Sequence, residues 1–562
     1  MQPLPIGVDD FKKLREIDYY YIDKTLLIQE LLDNRSEVSL FTRPRRFGKT
    51  LGLSMIKYFF ELSYDQFGNR VDNRQLFLGL KIMEAGEAYT KSMGQFPVIS
   101  LTMKSAKQPT YEMAYCSMMD EIAKEFDRHS WVLKSDLLEE DEKEQFCSIR
   151  AKKGTPVENV KSLEFLSRCL FKVSGKKTVI LLDEYDVPLE NAYFKGYYEQ
   201  MTDFIRSLFE SSLKTNLSLE FAVVTGCLRI SKESIFTGLN NLEIISILSN
   251  RYAEHFGFTA GETARMLRDY GAEEKLDEVK RWYNGYLFGT AEVYNPWSMI
   301  NYVKEVSFDK EVFPRAYWAN TSSNGIVREM VERADAGVRQ EMEVLIEGGT
   351  IEKRVHEDIT YGEIHKSQDN LWNFLFFTGY LKKVKERFSE DNLYITLAIP
   401  NAEVKSIYRN TILDWFGAKI RQKDFTALYM ALLNRNISCI EREISRNLME
   451  TISFFDYKED YYHGFLTGIL KQIDGFLVKS NRENGLGRSD LLLLSPPYEG
   501  TAVIIEVKVA DTYAQLPERA EEALRQIHRM QYDGELKLEG YHSFYYYGIA
   551  FYKKLCRVQA DK

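Results

Sequence analysis

Residues 37–62 read EVSLFTRPRRFGKTLGLSMIKYFFEL. The first five have the character of a short strand. From Leu51 onward the apolar residues Leu51, Met55, Tyr58, Phe59 and Leu62 recur at helical spacing. A strand that feeds a polar loop and then a helix is a ready phosphate cradle, because the helix presents free N–H groups and the positive end of its dipole to an anion. Gly48, Lys49 and Thr50 occupy the last three positions of the pattern Gly, four residues, Gly-Lys-Ser/Thr, while Arg43 stands at the first glycine position. Gly48 lets backbone N–H groups approach a phosphate. Lys49 has the reach for β- and γ-phosphates, and Thr50 carries a hydroxyl suited to Mg²⁺. Arg45 and Arg46 add two cations beside them.

Working outward, residues 96–101, 178–182 and 219–224 are further short apolar runs, separated by helical stretches at 111–126 and 197–213. Runs that are apolar on both faces, alternating with helices, predict an α/β domain with a parallel sheet over residues 1–240. The third run ends in Asp183-Glu184. An acid pair at the end of a buried strand complements the loop: Asp183 for Mg²⁺, Glu184 to orient or deprotonate the attacking water. The fourth run ends in Thr225-Gly226, where Thr225 could sense a γ-phosphate and Arg229 could act as sensor or arginine finger.

Residues 241–437 read as a mainly helical middle region, with aromatic patches at 281–289, 293–303 and 370–381. After residue 438 the pattern changes to a smaller α/β domain over 438–562: a helix near 460–473, strands at 490–494 and 502–509, a helix at 517–530 and a last strand at 542–552. Side chains alternate along a strand, so Glu506 and Lys508 share one face. If the two strands form a hairpin, Asp490 comes alongside Glu506, giving two carboxylates and an ammonium on one edge. Acids of this kind hold Mg²⁺ or Mn²⁺, and the lysine steadies charge on a phosphate. Glu459, opening the preceding helix, could add a third acid, and Gln526 on the following helix could hydrogen-bond beside the metal. His463 reads as a packed neighbour rather than a ligand.

These segments carry a resemblance. IGVDDFKKLR (6–15), YYIDKTLLI (20–28), FTRPRRFGKTL (41–51), LLDEYD (181–186), WYNGY (282–286), VYNPWS (293–298) and the pairing of Asp490 with Glu506-Val507-Lys508 are similar to those of bacterial AAA-ATPase-like proteins with a C-terminal PD-(D/E)XK nuclease domain. They span nearly the whole chain. The Arg43-Pro44-Arg45-Arg46 loop resembles that family's own version of the phosphate loop, and Ser489 stands where the motif's name has proline. The resemblance implies a P-loop AAA-type domain, a helical lid and middle region, and a restriction-endonuclease-like domain. It also implies ATP and Mg²⁺ as cofactors and nucleic acid, DNA ahead of RNA, as partner. It leaves the substrate unnamed.

Composition narrows the alternatives. With 74 basic and 83 acidic residues the net charge is −9, unlike a nucleic-acid coat, although a local basic channel remains compatible. The six cysteines are scattered without zinc-knuckle or redox spacing. No basic start leads into an apolar leader, and no run approaches the ~18 apolar residues of a membrane span, so a cytoplasmic location without membrane contact is expected. Two further classes compete with an ATP-dependent nuclease. One is an ATP-driven switch whose C-terminal domain binds without cutting. The other is a remodelling ATPase that assembles as a homo-oligomeric ring through an arginine such as Arg229.

Overall fold

In the computed structural model the apolar runs of the first 250 residues become five parallel strands: β1 (Val38–Thr42), β2 (Val98–Thr102), β3 (Thr178–Asp183), β4 (Leu219–Gly226) and β5 (Leu242–Ile245). The structure describes residues 2–64, 69–228, 235–236, 238–318, 336–355, 367–389, 391–421, 425–449, 459–471, 473, 475–484, 487–496 and 500–561; at 336, 339, 412–421, 459–461, 480–484 and 487–489 it describes the backbone alone. The strand order is β2-β3-β4-β1-β5. Every residue of β1 and β3 is buried, as both-face coverage by helices requires. This order inserts β4 between the loop-bearing β1 and the acid-bearing β3. The register sets Thr42 against Gly226 and Leu182 against Val224, so the C-terminal ends of three strands converge. Ligands of open parallel sheets bind beyond such ends.

By contacts the chain forms two compact units, residues 1–323 with 350–405 and residues 324–349 with 406–562. Among the described residues the middle region is mainly helical. It also holds two three-stranded sheets, one of Phe258–Thr259, Tyr286–Phe288 and Ala291–Tyr294, the other of Ile351–Val355, Lys382–Ser389 and Asn392–Ala398.

The aromatic motifs of this region have structural explanations. Asn295 caps the helix Pro296–Phe308, its side-chain oxygen accepting from the N–H groups of Trp297 (2.9 Å) and Ser298 (3.4 Å), with Pro296 in the first turn. Gly285, at φ 97°, has the Pro400 carbonyl where a Cβ would stand. Ser298 in turn donates to the fully buried carboxyl of Glu403, which also accepts from the Trp318 N–H at 2.9 Å. Burial pushes the Glu403 carboxyl up to about 7. A carboxyl raised in the folded state contributes stability that is complete below its unfolded value and is lost as pH rises through the folded one. The window therefore lies between roughly pH 4.5 and 7. Glu403→Gln should melt higher than the parent at pH 8, by about 5 °C, on the order of 3 kcal/mol. At pH 5 the two should nearly coincide. An equal difference at both pH values would mean that the charge is not what matters there.

The second unit carries a five-stranded mixed sheet, β6 (Leu477–Asn484), β7 (Gly487–Leu494), β8 (Thr501–Val509), β9 (Ser543–Tyr552) and β10 (Leu555–Ala560), in that spatial order. β8 and β9 are parallel and are joined through the helix Leu516–Met530; the other pairs are antiparallel. Alternation divides the sheet cleanly. Leu491, Leu493, Val503, Ile505 and Val507 pack with Tyr462, Phe465 and Ile469 of the helix Glu459–Leu470. Leu492, Leu494, Ala502 and Ile504 pack with Ile527 and Tyr532. Asp490, Glu506 and Lys508 belong to the second set by parity. No described helix is long and apolar enough to cross a membrane.

Candidate active sites

At the first site Gly48 adopts the left-handed region (φ 85°) and caps the helix Lys49–Phe60. Such a turn favours glycine because a Cβ would be strained there. Lys49 is buried, and its Nζ donates to the carbonyls of Arg43 (2.8 Å) and Pro44 (2.9 Å). Thr50 Oγ1 donates to Asp183 Oδ2 at 2.7 Å, and Thr225 donates to the other oxygen of the same carboxylate. Loop, β3 and β4 thus meet on one buried acid. Two hydroxyls around a carboxylate make a hard-oxygen set of the kind Mg²⁺ takes.

Glu184, next in chain, is half-buried and sits at φ 54°, a rare conformation for a non-glycine residue and one that concentrates at functional sites. Burial and the neighbouring Asp183 push its carboxyl above the ordinary range, against the opposing fields of Lys49 and Lys104. Arg45 and Arg46 of the loop are engaged elsewhere. Arg45 pairs with Glu190, and the Arg46 guanidinium lies over the Trp297 ring, 4.5 Å from its centroid. Arg229 lies outside the described residues.

Beside Gly48 a cavity opens between the N-terminal segment and the loop's helix, lined by Tyr20, Tyr21, Leu51, Gly52, Met55 and Phe258 among others. The N-terminal segment is tied over it by the Lys24–Glu262 ion pair at 2.7 Å and the Tyr20 hydroxyl donating to Asp269 at 2.7 Å.

The second site lies where the sheet forks. β7 and β8 pair from Leu494↔Ala502 to Leu491↔Ile505 and no further. Beyond that point the Val507 N–H, released from the ladder, donates to Asp490 Oδ2 at 2.8 Å. Glu506 is 2% exposed, accepts a hydrogen bond from Gln526, and has the Lys508 ammonium 4.0 Å away. Gln526 reaches it because Gly548, the register partner of Glu506, has no side chain: a Cβ there would collide with the backbone of Ala520 and Leu524. Burial raises the Asp490 carboxyl, opposed by the Val507 N–H and by His463 and Lys508.

Asp490, Glu506 and Lys508 therefore share one face, as the period-two reading expects, and Gln526 of the helix Leu516–Met530 reaches Glu506. Glu459 opens its helix as expected, but its side chain is outside the description. Among the described residues no group of three or more His, Cys, Asp and Glu side chains forms a metal cluster. The oxygens of Asp490 and Glu506 beside a lysine nevertheless suit a divalent cation of the Mg²⁺ or Mn²⁺ kind.

Comparison with known proteins finds a match for each of the two domains. Residues 5–236 match the family model described as "Predicted AAA-ATPase", and residues 457–560 match that of the PD-(D/E)XK nuclease superfamily. The chain joins an AAA-ATPase-like domain to a PD-(D/E)XK-superfamily domain. It is also 29% identical over 322 residues to a protein of Azotobacter chroococcum mcd 1 described as an uncharacterized protein in the vnfD 5′ region. That alignment covers 57% of this chain and 54% of the relative, so the chain spans about half of that protein's length.

Two residues near these sites carry contacts that the motif reading does not assign. In the AAA-ATPase-like domain, buried Asp186 accepts from the N–H groups of Cys227 (2.7 Å) and Leu228 (3.2 Å), pinning the turn after Thr225. It closes the same LLDEYD run, which is its only trace in the sequence. In the PD-(D/E)XK domain, His463 Nε2 lies 2.7 Å from the Asp490 carbonyl. Its position one helical turn after Glu459 was the available signal.

Proposed function

We propose that the chain is an ATP-binding, ATP-hydrolysing protein whose C-terminal domain is a metal-dependent phosphodiesterase acting on DNA or RNA. The observation that carries the reading is the fork between β7 and β8, where Asp490, Glu506 and Lys508 meet with Gln526 fixing one of the acids. Carboxylates and an ammonium so arranged are what phosphodiester hydrolysis requires.

At the first site Lys49 would exchange its two loop carbonyls for β- and γ-phosphate oxygens, while backbone N–H groups at Gly48 hold the anion. The cavity beside Gly48 suits a flat apolar ligand such as a nucleotide base. Thr50 and Asp183 would hold Mg²⁺, with Thr225 orienting the carboxylate from its other side. Glu184, raised above the ordinary carboxylate range, is suited to take the proton of an attacking water. At the second site Asp490, Glu506 and Glu459 would hold Mg²⁺ or Mn²⁺. Lys508 would steady the charge that builds on the scissile phosphate. A cation held in such sites supplies charge neutralisation on phosphate oxygens and acidifies a bound water.

The net charge of −9 favours a second reading, in which ATP drives a switch and the C-terminal domain binds nucleic acid without cutting. One experiment separates them. Purified protein is incubated with linear, circular and single-stranded DNA and with RNA, in Mg²⁺, Mn²⁺ or EDTA, with and without ATP. Cleavage that needs the metal supports the nuclease. ATP turnover with no cleavage on any substrate moves the weight to the switch.

A further inference from the structure

The phosphate loop of this chain is built from bulky residues, and the structure gives each of them an address. Arg43 is fully buried, its guanidinium 5.3 Å from the Phe256 centroid and 5.0 Å from that of Phe288, donating to the carbonyls of Thr42 and Ile245 at 2.9 Å each. Pro44 fills the space where Gly379, at φ 90°, would carry a Cβ. Phe47 is buried against Tyr286 and Phe288, with ring centroids 5.0 and 5.1 Å apart. All three anchor the loop in the segment that follows the parallel sheet, and burial locks them there. Arg46 points to the same segment, onto Trp297, but it is exposed and its backbone is left-handed at φ 69°.

We propose that Arg46 is a latch that reports nucleotide occupancy to the middle region: it lies on Trp297 until a polyphosphate on the loop draws it away. The proposal rests on the nucleotide-site reading above. An exposed cation–π contact is among the weaker interactions of an arginine, whereas bidentate, charge-assisted bonds to phosphate are among the stronger. Arg46 is two residues from Gly48, so a phosphate held at that turn and the Trp297 ring compete for one guanidinium. Trp297 is the second residue of the helix Pro296–Phe308, whose next residue, Ser298, holds the buried Glu403. Release of the ring therefore acts at the end of a helix that is itself tied to the residues opening the helix Ala402–Arg421. A ligand shifts such an element only through a differential contact, and the Arg46 guanidinium supplies one.

Reciprocity fixes the signs. Removing the competitor should help the nucleotide, and removing the arginine should hurt it. The experiment measures MgATP binding by calorimetry and tryptophan emission on the same samples, for the parent chain, Trp297→Phe, Trp297→Leu, Arg46→Ala and Arg46→Lys. In the parent, MgATP should change an emission component that Trp297→Phe lacks. Arg46→Ala should still bind, about tenfold more weakly, with that change gone. Arg46→Lys should recover part of both, and Trp297→Leu should bind more tightly than the parent. Binding by the parent with no Trp297-dependent change, or unaltered affinity in Arg46→Ala, overturns the latch and leaves the nucleotide site standing. No binding by the parent at all overturns the nucleotide site and the latch with it.

Discussion

Lys49→Ala is expected to lose MgATP binding while the chain stays folded. Lys49 begins the helix Lys49–Phe60, where alanine is a good helix former, so the backbone has no reason to change. Its ammonium is satisfied by two loop carbonyls, which keeps a buried cation from standing unpaired and leaves it 2.8–2.9 Å from groups it can trade for phosphate oxygens. Two charge-assisted bonds to phosphate are worth roughly 3–4 kcal/mol, a loss of several hundredfold in affinity. Calorimetry with MgATP measures it, and a thermal melt within a few degrees of the parent shows that the fold persists. Unchanged affinity in a folded variant would remove the lysine from the site and the phosphate-loop reading with it.

What the sequence made legible follows from where the information is local. β1 and β3 bury both faces, and β2 and β4 are mostly buried, so each is a short apolar run between polar loops, and each is found within a few residues of its expected place. β5 is only four residues, Leu242–Ile245, and nothing in its pattern separates it from a loop. β6 and β10 are polar edge strands of the second sheet, with Lys479, Arg482 and Glu483 in one and Arg557 and Gln559 in the other. Polar edges avoid association but carry no apolar run to read.

The same division holds within the sites. Asp183, Glu506 and Lys508 are readable because strand parity and strand ends are local. The meeting of Thr50 and Thr225 on one carboxylate depends on β4 lying between β1 and β3, which is a matter of topology. Arg45 and Arg46 read as phosphate ligands by proximity in sequence. Their side chains go to Glu190 and Trp297, partners 145 residues away in one case and on a distant motif in the other.

The fork in the second sheet yields the other large effect. Glu506→Gln preserves shape at a site that is 2% exposed and keeps an oxygen for Gln526, so the fold should tolerate it. It removes one of the three carboxylates proposed to hold the divalent cation. Lost metal-borne stabilisation of several kcal/mol means cleavage reduced about a thousandfold or more, with ATP turnover unchanged because that chemistry sits in the other domain. Lys508→Ala leaves all three acids in place. It should therefore keep Mn²⁺ binding in a calorimetric titration yet lose roughly a hundredfold in cleavage, since the role proposed for its ammonium is on the phosphate rather than the metal. That split, metal lost in one variant and kept in the other, assigns the two roles without knowledge of the preferred nucleic acid. Mn²⁺ bound equally by the parent and Glu506→Gln would place any cation elsewhere, and cleavage surviving in both variants would belong to another site.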